Sequence, residues 1–369
     1  MEPIVLWQQK WGGDLYIPAY LFLGGLTAGV NISAAVADLL SIKFRRFESF
    51  SRVAAIAAVP LLALAGFFLT FHLGKPERGF GFPLFFTNYE SWMTRGGWVV
   101  GAGSPPVVLY AALWYFRVFP TFRRILALIG IPALALLAAY TGFLLGGTWF
   151  VPLWSPKFLP TLFLTSGLTT GLAAAGLIYL LVWPFLGQER DDPRWVLRWV
   201  GAALAVLIVF ELYEIQAFMG HLAARAPDKA VVLTAPTGDF RSAMGGRLAY
   251  EYVTGGPGHP WKLFGGSVAD AVEAVKPRKT LAPWFWWGII GVGLALPLFL
   301  TVVEFLSSPV SRQLATGVAA VKFAMVLVGG FVLRLVIVWG GDLKAPLPYP
   351  PSVWPVPGIT GPPIPGLGG

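Results

Sequence analysis

Eight stretches of this chain, near residues 16–41, 51–73, 96–116, 124–146, 159–184, 197–219, 283–307 and 314–339, run almost without charge through apolar side chains. A bilayer hydrocarbon core of roughly 30 Å takes about 20 such residues of helix to cross. The protein is 56% hydrophobic and 12% charged, with a mean hydropathy of +0.69, more apolar surface than a soluble core needs. The fold class expected is an all-α polytopic membrane protein with eight transmembrane helices. Prolines 60, 105, 106, 132 and 297 fall inside spans. Membrane helices tolerate proline as a kink where neighbouring helices satisfy the freed backbone, so these mark bends rather than breaks.

The net charge of +9 reads as topology rather than nucleic-acid affinity, because Lys and Arg are unevenly placed. Segments 42–52, 117–125, 185–198 and 308–313 carry eleven of them in 40 residues. The first 15 residues, segments 72–95 and 147–157, and the tail 340–369 carry six in 80. The positive-inside rule then makes the first set cytoplasmic and both termini extracytoplasmic. Loop 220–282 is too long for the rule, and the same topology puts it outside. The nearly neutral start, MEPIVLWQQKWGGD, does not read as a cleavable signal peptide. With no cysteine, the protein cannot hold an iron–sulfur cluster on its own thiolates.

Three resemblances recur in the same order: GGLTAG (24–29) with SGLTTG (166–171), His72-Leu73 with His221-Leu222, and TGFLLG (141–146) with GGFVLR (329–334). They suggest a duplication of four helices, which, being an even number, gives a parallel internal repeat. The expected organisation is a first four-helix bundle over 1–150, a second over 151–345 with the long extracytoplasmic loop 220–282, and a Pro/Gly-rich extended tail over 346–369.

Gly25 with Gly29, and Gly167 with Gly171, are small-xxx-small faces that let helices approach closely; within a unit this is a packing device. Glycine also leaves room for a flat ligand ring. In the first unit Tyr16, Tyr20, His72, Tyr140 and Thr141 all lie towards the expected outer surface, Tyr16 as an interfacial anchor and Tyr140 about 9 Å inside its helix end at 1.5 Å per residue. In the repeat alignment Tyr140 falls opposite Val328, and Gly146 opposite Arg334. That polar asymmetry points to one ligand site, in the first bundle. Intramembrane Asp38, Glu211, Glu214, Glu304, Lys322 and Arg334 are costly unless paired or functional, and both readings stay open: structural pairs or a proton path. Three histidines, none mid-membrane, cannot supply the four imidazoles of a di-haem cytochrome.

The stretches YLFLGGLTAG (20–29), HLGKPERGF (72–80), SWMTRGGW (91–98), YTGFLLGGTWFVPLWSP (140–156), LFLTSGLTTG (162–171) and LRLVIVWGG (333–341) together resemble the NrfD/PsrC family of membrane subunits of polysulfide-reductase-type complexes. The resemblance implies a haem-free subunit in the cytoplasmic membrane of a prokaryote. It would bind menaquinone or ubiquinone and exchange electrons with an extracytoplasmic ferredoxin-like iron–sulfur subunit, which serves a molybdopterin or multihaem catalytic subunit. Carried over by motif, Tyr140 and Tyr20 would hydrogen-bond the headgroup, with Gly24, Gly25 and Gly29 giving it room, Thr141 beside it and His72 relaying a proton. A secondary transporter or proton-translocating protein with parallel repeats is the alternative that the same charges allow.

Overall fold

The computed structural model describes residues 15–72, 87–148, 151, 153–186, 193–224, 246–255, 280–306 and 312–342. All regular structure among them is helical, and eight helices are long and apolar enough to cross a membrane. The first six are α1 (Tyr16–Ser41), α2 (Phe47–His72), α3 (Trp92–Phe116), α4 (Pro120–Gly146), α5 (Leu159–Val182, lengthened by a 3-10 turn over Trp183–Phe185) and α6 (Pro193–Ala224). A short helix, α7 (Gly246–Thr254), precedes α8, which starts as a π-helix over Trp284–Ala295 and continues as an α-helix over Leu296–Leu306. The last span is α9 (Arg312–Trp339), closed by a 3-10 turn over Gly340–Asp342. The chain is a multi-pass membrane protein.

Several helices outrun the apolar stretches that announce them. α2 begins at Phe47 rather than 51, α3 at Trp92 rather than 96 and α4 at Pro120 rather than 124, while α6 covers Pro193–Ala224 rather than 197–219. The added turns contain Glu48, Arg95, Arg123 and Arg194. Long charged side chains reach water or a partner from a helix end, so a charge marks the edge of the apolar layer and not the end of the helix. α6 and α7 also take up part of the loop expected over 220–282. α7 is tied to the start of α8 by Leu281 N–H to the Tyr252 carbonyl at 2.8 Å and by the Trp286 indole to the Thr254 carbonyl at 2.9 Å. Burial and the nearby Asp342 carboxylate raise the pKa of the Tyr252 phenol. Residues 225–245 and 256–279 of that loop, the first 14 residues and the tail expected over 346–369 lie outside the described residues.

Local chemistry explains the ends and bends. Ser91 caps α3, its hydroxyl accepting from Met93 N–H at 3.2 Å. Arg117 ends the helix in the left-handed region at φ 56°, and Phe119 at φ 48° leads into Pro120 in the first turn of α4, so the chain reverses within three residues. Pro297 has no N–H to give and its ring presses on the preceding turn; the wider π-turns immediately before it relieve both.

α1 packs against α2, α4 and α5, and α3 closes the group by packing on α2 and α4. α5 packs in turn on α6 and α9, with α8 lying on α9. Alanines bring α2 close to α1, Ala54, Ala55 and Ala58 all being fully buried. The seam between α1 and α5 is closer still. A β-carbon on Gly29 would strike the Gly167 carbonyl and lie 3.0 Å from Gly171 Cα, and one on Gly25 would lie 3.6 Å from Gly167 Cα. The glycine faces therefore pack against each other rather than within separate units, which corrects the expectation for the motif. A second glycine crossing joins α8 and α9, where a β-carbon on Gly293 would come 2.6 Å from Gly329 Cα. The α4–α5 linker reaches the far end of the protein: the Trp154 indole donates to the Ile337 carbonyl at 2.7 Å, and a β-carbon on Gly340 or Gly341 would run into Leu153 or Trp154. Leu128, Ile129, Val206 and Phe299 lie exposed on the outside of the assembly, the surface a bilayer covers, and Trp286 and Trp287 are exposed near the start of α8 as interfacial aromatics.

Candidate functional site

Tyr20 lies just over one turn into α1, and Tyr140 lies near the end of α4. The packing of these helices buries both rings and couples their hydroxyls electrostatically. α3 forms the third wall. A β-carbon on Gly96 would fall within the Tyr140 phenol, so only glycine fits there. Half a turn earlier, Thr94 is buried with its hydroxyl unpaired among the described residues. Trp92 stacks on Phe143 of α4, with centroids 4.9 Å apart and planes 10° from parallel, which holds the ends of α3 and α4 together above the phenol. Gly24 shares the α1 face of Tyr20, one turn further in, and a β-carbon there would meet nothing within 4 Å. The arrangement is a pair of coupled phenols beside an open, side-chain-free strip of helix.

Other expected members are placed differently. Gly25 and Gly29 face α5, and the space they leave is filled by the Gly167 and Gly171 backbone rather than being open to a ligand. The Thr141 hydroxyl donates to the Ala138 carbonyl of its own helix at 3.0 Å. His72 closes α2, and its side chain lies outside the described residues.

The intramembrane charges fall into three groups. Asp38, fully buried, accepts from Arg123 Nε and Nη2 at 2.9 Å each and from the Tyr110 hydroxyl at 3.1 Å, while the Arg123 guanidinium lies 3.5 Å over the Trp114 ring. This bidentate geometry ties α1, α3 and α4 together and is that of a structural pair. Lys322 of α9, buried, pairs with the partly exposed Glu304 of α8 at 2.6 Å. Near the start of α5, Glu211 of α6 is electrostatically coupled to Arg334 of α9, and Glu214 lies one turn along beside Thr161 and Thr165. There Arg334 Nη2 donates to the Phe163 carbonyl at 3.1 Å, and its guanidinium lies 3.8 Å over the Phe163 ring.

Sequence reasoning missed Gly96 and Thr94, although the double glycine of SWMTRGGW was on view, because nothing local says which neighbour a glycine admits. It missed Arg123 as the partner of Asp38 because a Lys/Arg-rich segment reads as topology.

Compared with known proteins, residues 8–345 match the family model described as "Polysulphide reductase, NrfD". The protein is 28% identical over 345 residues to the C subunit of the polysulfide reductase of Wolinella succinogenes, covering 88% of this sequence and 93% of that protein. It is 26% identical over 364 residues to protein NrfD of Escherichia coli K12, covering 89% and 95%. An NrfD homolog of Haemophilus influenzae is 28% identical over 207 residues, covering 48% and 62%.

Proposed function

Because the chain belongs to the NrfD family, we propose that it is the membrane subunit of a respiratory oxidoreductase, exchanging electrons between the quinone pool and an extracytoplasmic iron–sulfur partner. A similar protein is by name the C subunit of a polysulfide reductase, so it works beside others; this protein takes the same place in a complex whose other subunits hold the metal centres. Its lack of cysteine fits that division. A ferredoxin-like subunit, in turn serving a molybdopterin or multihaem subunit, is the partner the reading requires.

The observation that carries the reading is the Tyr20–Tyr140 pair beside Gly24. A quinone, menaquinone or ubiquinone, supplies a two-electron, two-proton carrier. The residues fit such a headgroup: a carbonyl oxygen needs a donor, and each phenol of the coupled pair carries an O–H that can supply one. Gly24 keeps the wall beside Tyr20 flat, and Gly96 lets α3 close over Tyr140. His72, at the same end of the bundle, is the proposed proton relay. We place this end, with both termini, on the extracytoplasmic face, in the cytoplasmic membrane of a prokaryote. The parallel-repeat reading is supported by the seam, where Gly25 meets Gly167 and Gly29 meets Gly171, equivalent positions of the two copies side by side.

The test is Tyr140→Phe in the purified complex. It keeps the ring under Gly96 and removes only the hydroxyl, a loss of about 0.5–1.5 kcal/mol, or up to roughly tenfold in quinone-analogue affinity. Affinity and quinol turnover both equal to wild type would overturn the assignment.

A further inference from the structure

Where α5, α6 and α9 meet, five buried polar atoms have no hydrogen-bond partner among the described residues: Arg334 Nε and Nη1, Glu211 Oε2, Glu214 Oε2 and Ser166 Oγ. Arg334 and Glu211 are 2% exposed and Ser166 is 1% exposed, so bulk solvent does not satisfy them. Arg334 attracts Glu211 electrostatically, yet the two do not close to ion-pair distance, unlike Arg123 with Asp38 at 2.9 Å or Lys322 with Glu304 at 2.6 Å. Hydroxyls line the carboxyl side, and the Phe163 ring covers the guanidinium. Ser166 and Thr169 of α5 lie beside Glu211 and Thr165 and Thr161 beside Glu214, with Arg334 the charged group contributed by α9.

Each such atom left bare in a buried site costs about 1–3 kcal/mol, more when charged. Internal water occupies sites with several convergent polar partners and restores those bonds. The cluster also holds two carboxyls and one guanidinium. A negative charge left over inside a membrane is expensive, and a proton held on the carboxyl pair removes it. Arg334 is coupled to Glu211, whereas Glu214 has the Glu211 carboxyl and the Thr161 and Thr165 hydroxyls beside it and is partly exposed, so Glu214 is the carboxyl with access to a proton.

We propose that this cluster is a water-filled proton-exchange chamber in the second half of the molecule. A hydronium of the chamber gives its proton to a Glu214 carboxylate oxygen and becomes water, and the reverse step releases it; Arg334 holds Glu211 as the fixed counter-charge. The chamber is separate from the tyrosine site but at the same end of the bundle, with only α1 between them: Arg334 Nη2 lies 3.4 Å from where a Gly25 β-carbon would sit. Towards the other end of α9, the Lys322–Glu304 pair stands about 18 Å away at 1.5 Å per residue. The inference does not depend on which ligand the tyrosines bind.

The test is treatment of membranes containing the full-length protein with dicyclohexylcarbodiimide, which modifies carboxyls that carry a proton in apolar surroundings, followed by mass spectrometry of the peptides. The expected adduct is on Glu214, weakening as pH rises, absent from Glu214→Gln, and in clear excess over any on the ion-paired Glu304. No adduct on Glu211 or Glu214 from mildly acid to mildly alkaline pH would overturn the chamber, and so would labelling of Glu304 to the same extent. An adduct on Glu211 with none on Glu214 would overturn the assignment of the exchanging carboxyl.

Discussion

Replacing Gly29 by alanine adds one methyl group at the tightest point of the seam, and the structure says what it meets. Besides the Gly167 carbonyl oxygen, the new β-carbon would lie 2.8 Å from the Gly167 carbonyl carbon and 3.0 Å from Gly171 Cα. All three obstacles are backbone, so nothing in the way can turn aside by rotating about a side-chain bond. Restoring ordinary contact with the carbonyl oxygen requires α1 and α5 to part by about an ångström, enough to forfeit about half of the dispersion well of each contact along the seam. Overpacking of this kind costs about 1–3 kcal/mol, and rigid obstacles put the change at the upper end. The helix-propensity gain of alanine over glycine, about 1 kcal/mol, returns part of it, for a net loss of about 1–2 kcal/mol. Gly24→Ala is the control some residues away: nothing lies within 4 Å, so only the gain of about 1 kcal/mol remains. Unfolding of the two variants in mixed detergent micelles, followed by tryptophan fluorescence, should separate them by about 2–3 kcal/mol. Equal stability within a few tenths of a kcal/mol would refute the claim that the seam is set by backbone contact.

Two further substitutions test other parts of the structure. Asp38→Asn leaves Arg123 buried against Trp114 without its counter-charge and should destabilise the protein by about 3–5 kcal/mol, with Arg123→Gln in the same molecule restoring part of the loss; a cost below about 1 kcal/mol in the same unfolding assay would contradict the lock. Gly96→Ala pushes the Tyr140 phenol from its place and should depress quinol turnover at least as much as Tyr140→Phe, so wild-type turnover would show that the phenol's position is immaterial.

How far the sequence revealed this arrangement differs by feature, for physical reasons. The number and position of the spans follow from length alone, since a bilayer demands a minimum run of apolar residues. Their ends do not, because Glu48, Arg95, Arg123 and Arg194 are as helical as the residues they follow or precede. The glycine repeats announced close approach but not between which helices. A small-residue face fixes a distance, whereas the partner is chosen by the whole topology, and here each copy chose the other. Tyr20 and Tyr140 could be matched in depth from residue counts. That Gly96 admits the phenol could not, because it depends on the angle at which α3 crosses α4. Glu211 and Glu214 were evident as one helix face; Ser166 and the Phe163 carbonyl were not, since they enter from a helix with no charge of its own.

The hold of the last span on the middle of the protein bears on how it is made. α9 leaves the ribosome after seven other spans, yet it supplies the carbonyl for Trp154, the guanidinium opposite Glu211 and the glycine under α8. Until it inserts, Glu211 and Glu304 stand in the bilayer without the cations Arg334 and Lys322, and an indole lacks its acceptor. A nascent or truncated polypeptide therefore displays a polar defect that the membrane's quality-control proteases can recognise, and arrival of α9 erases it.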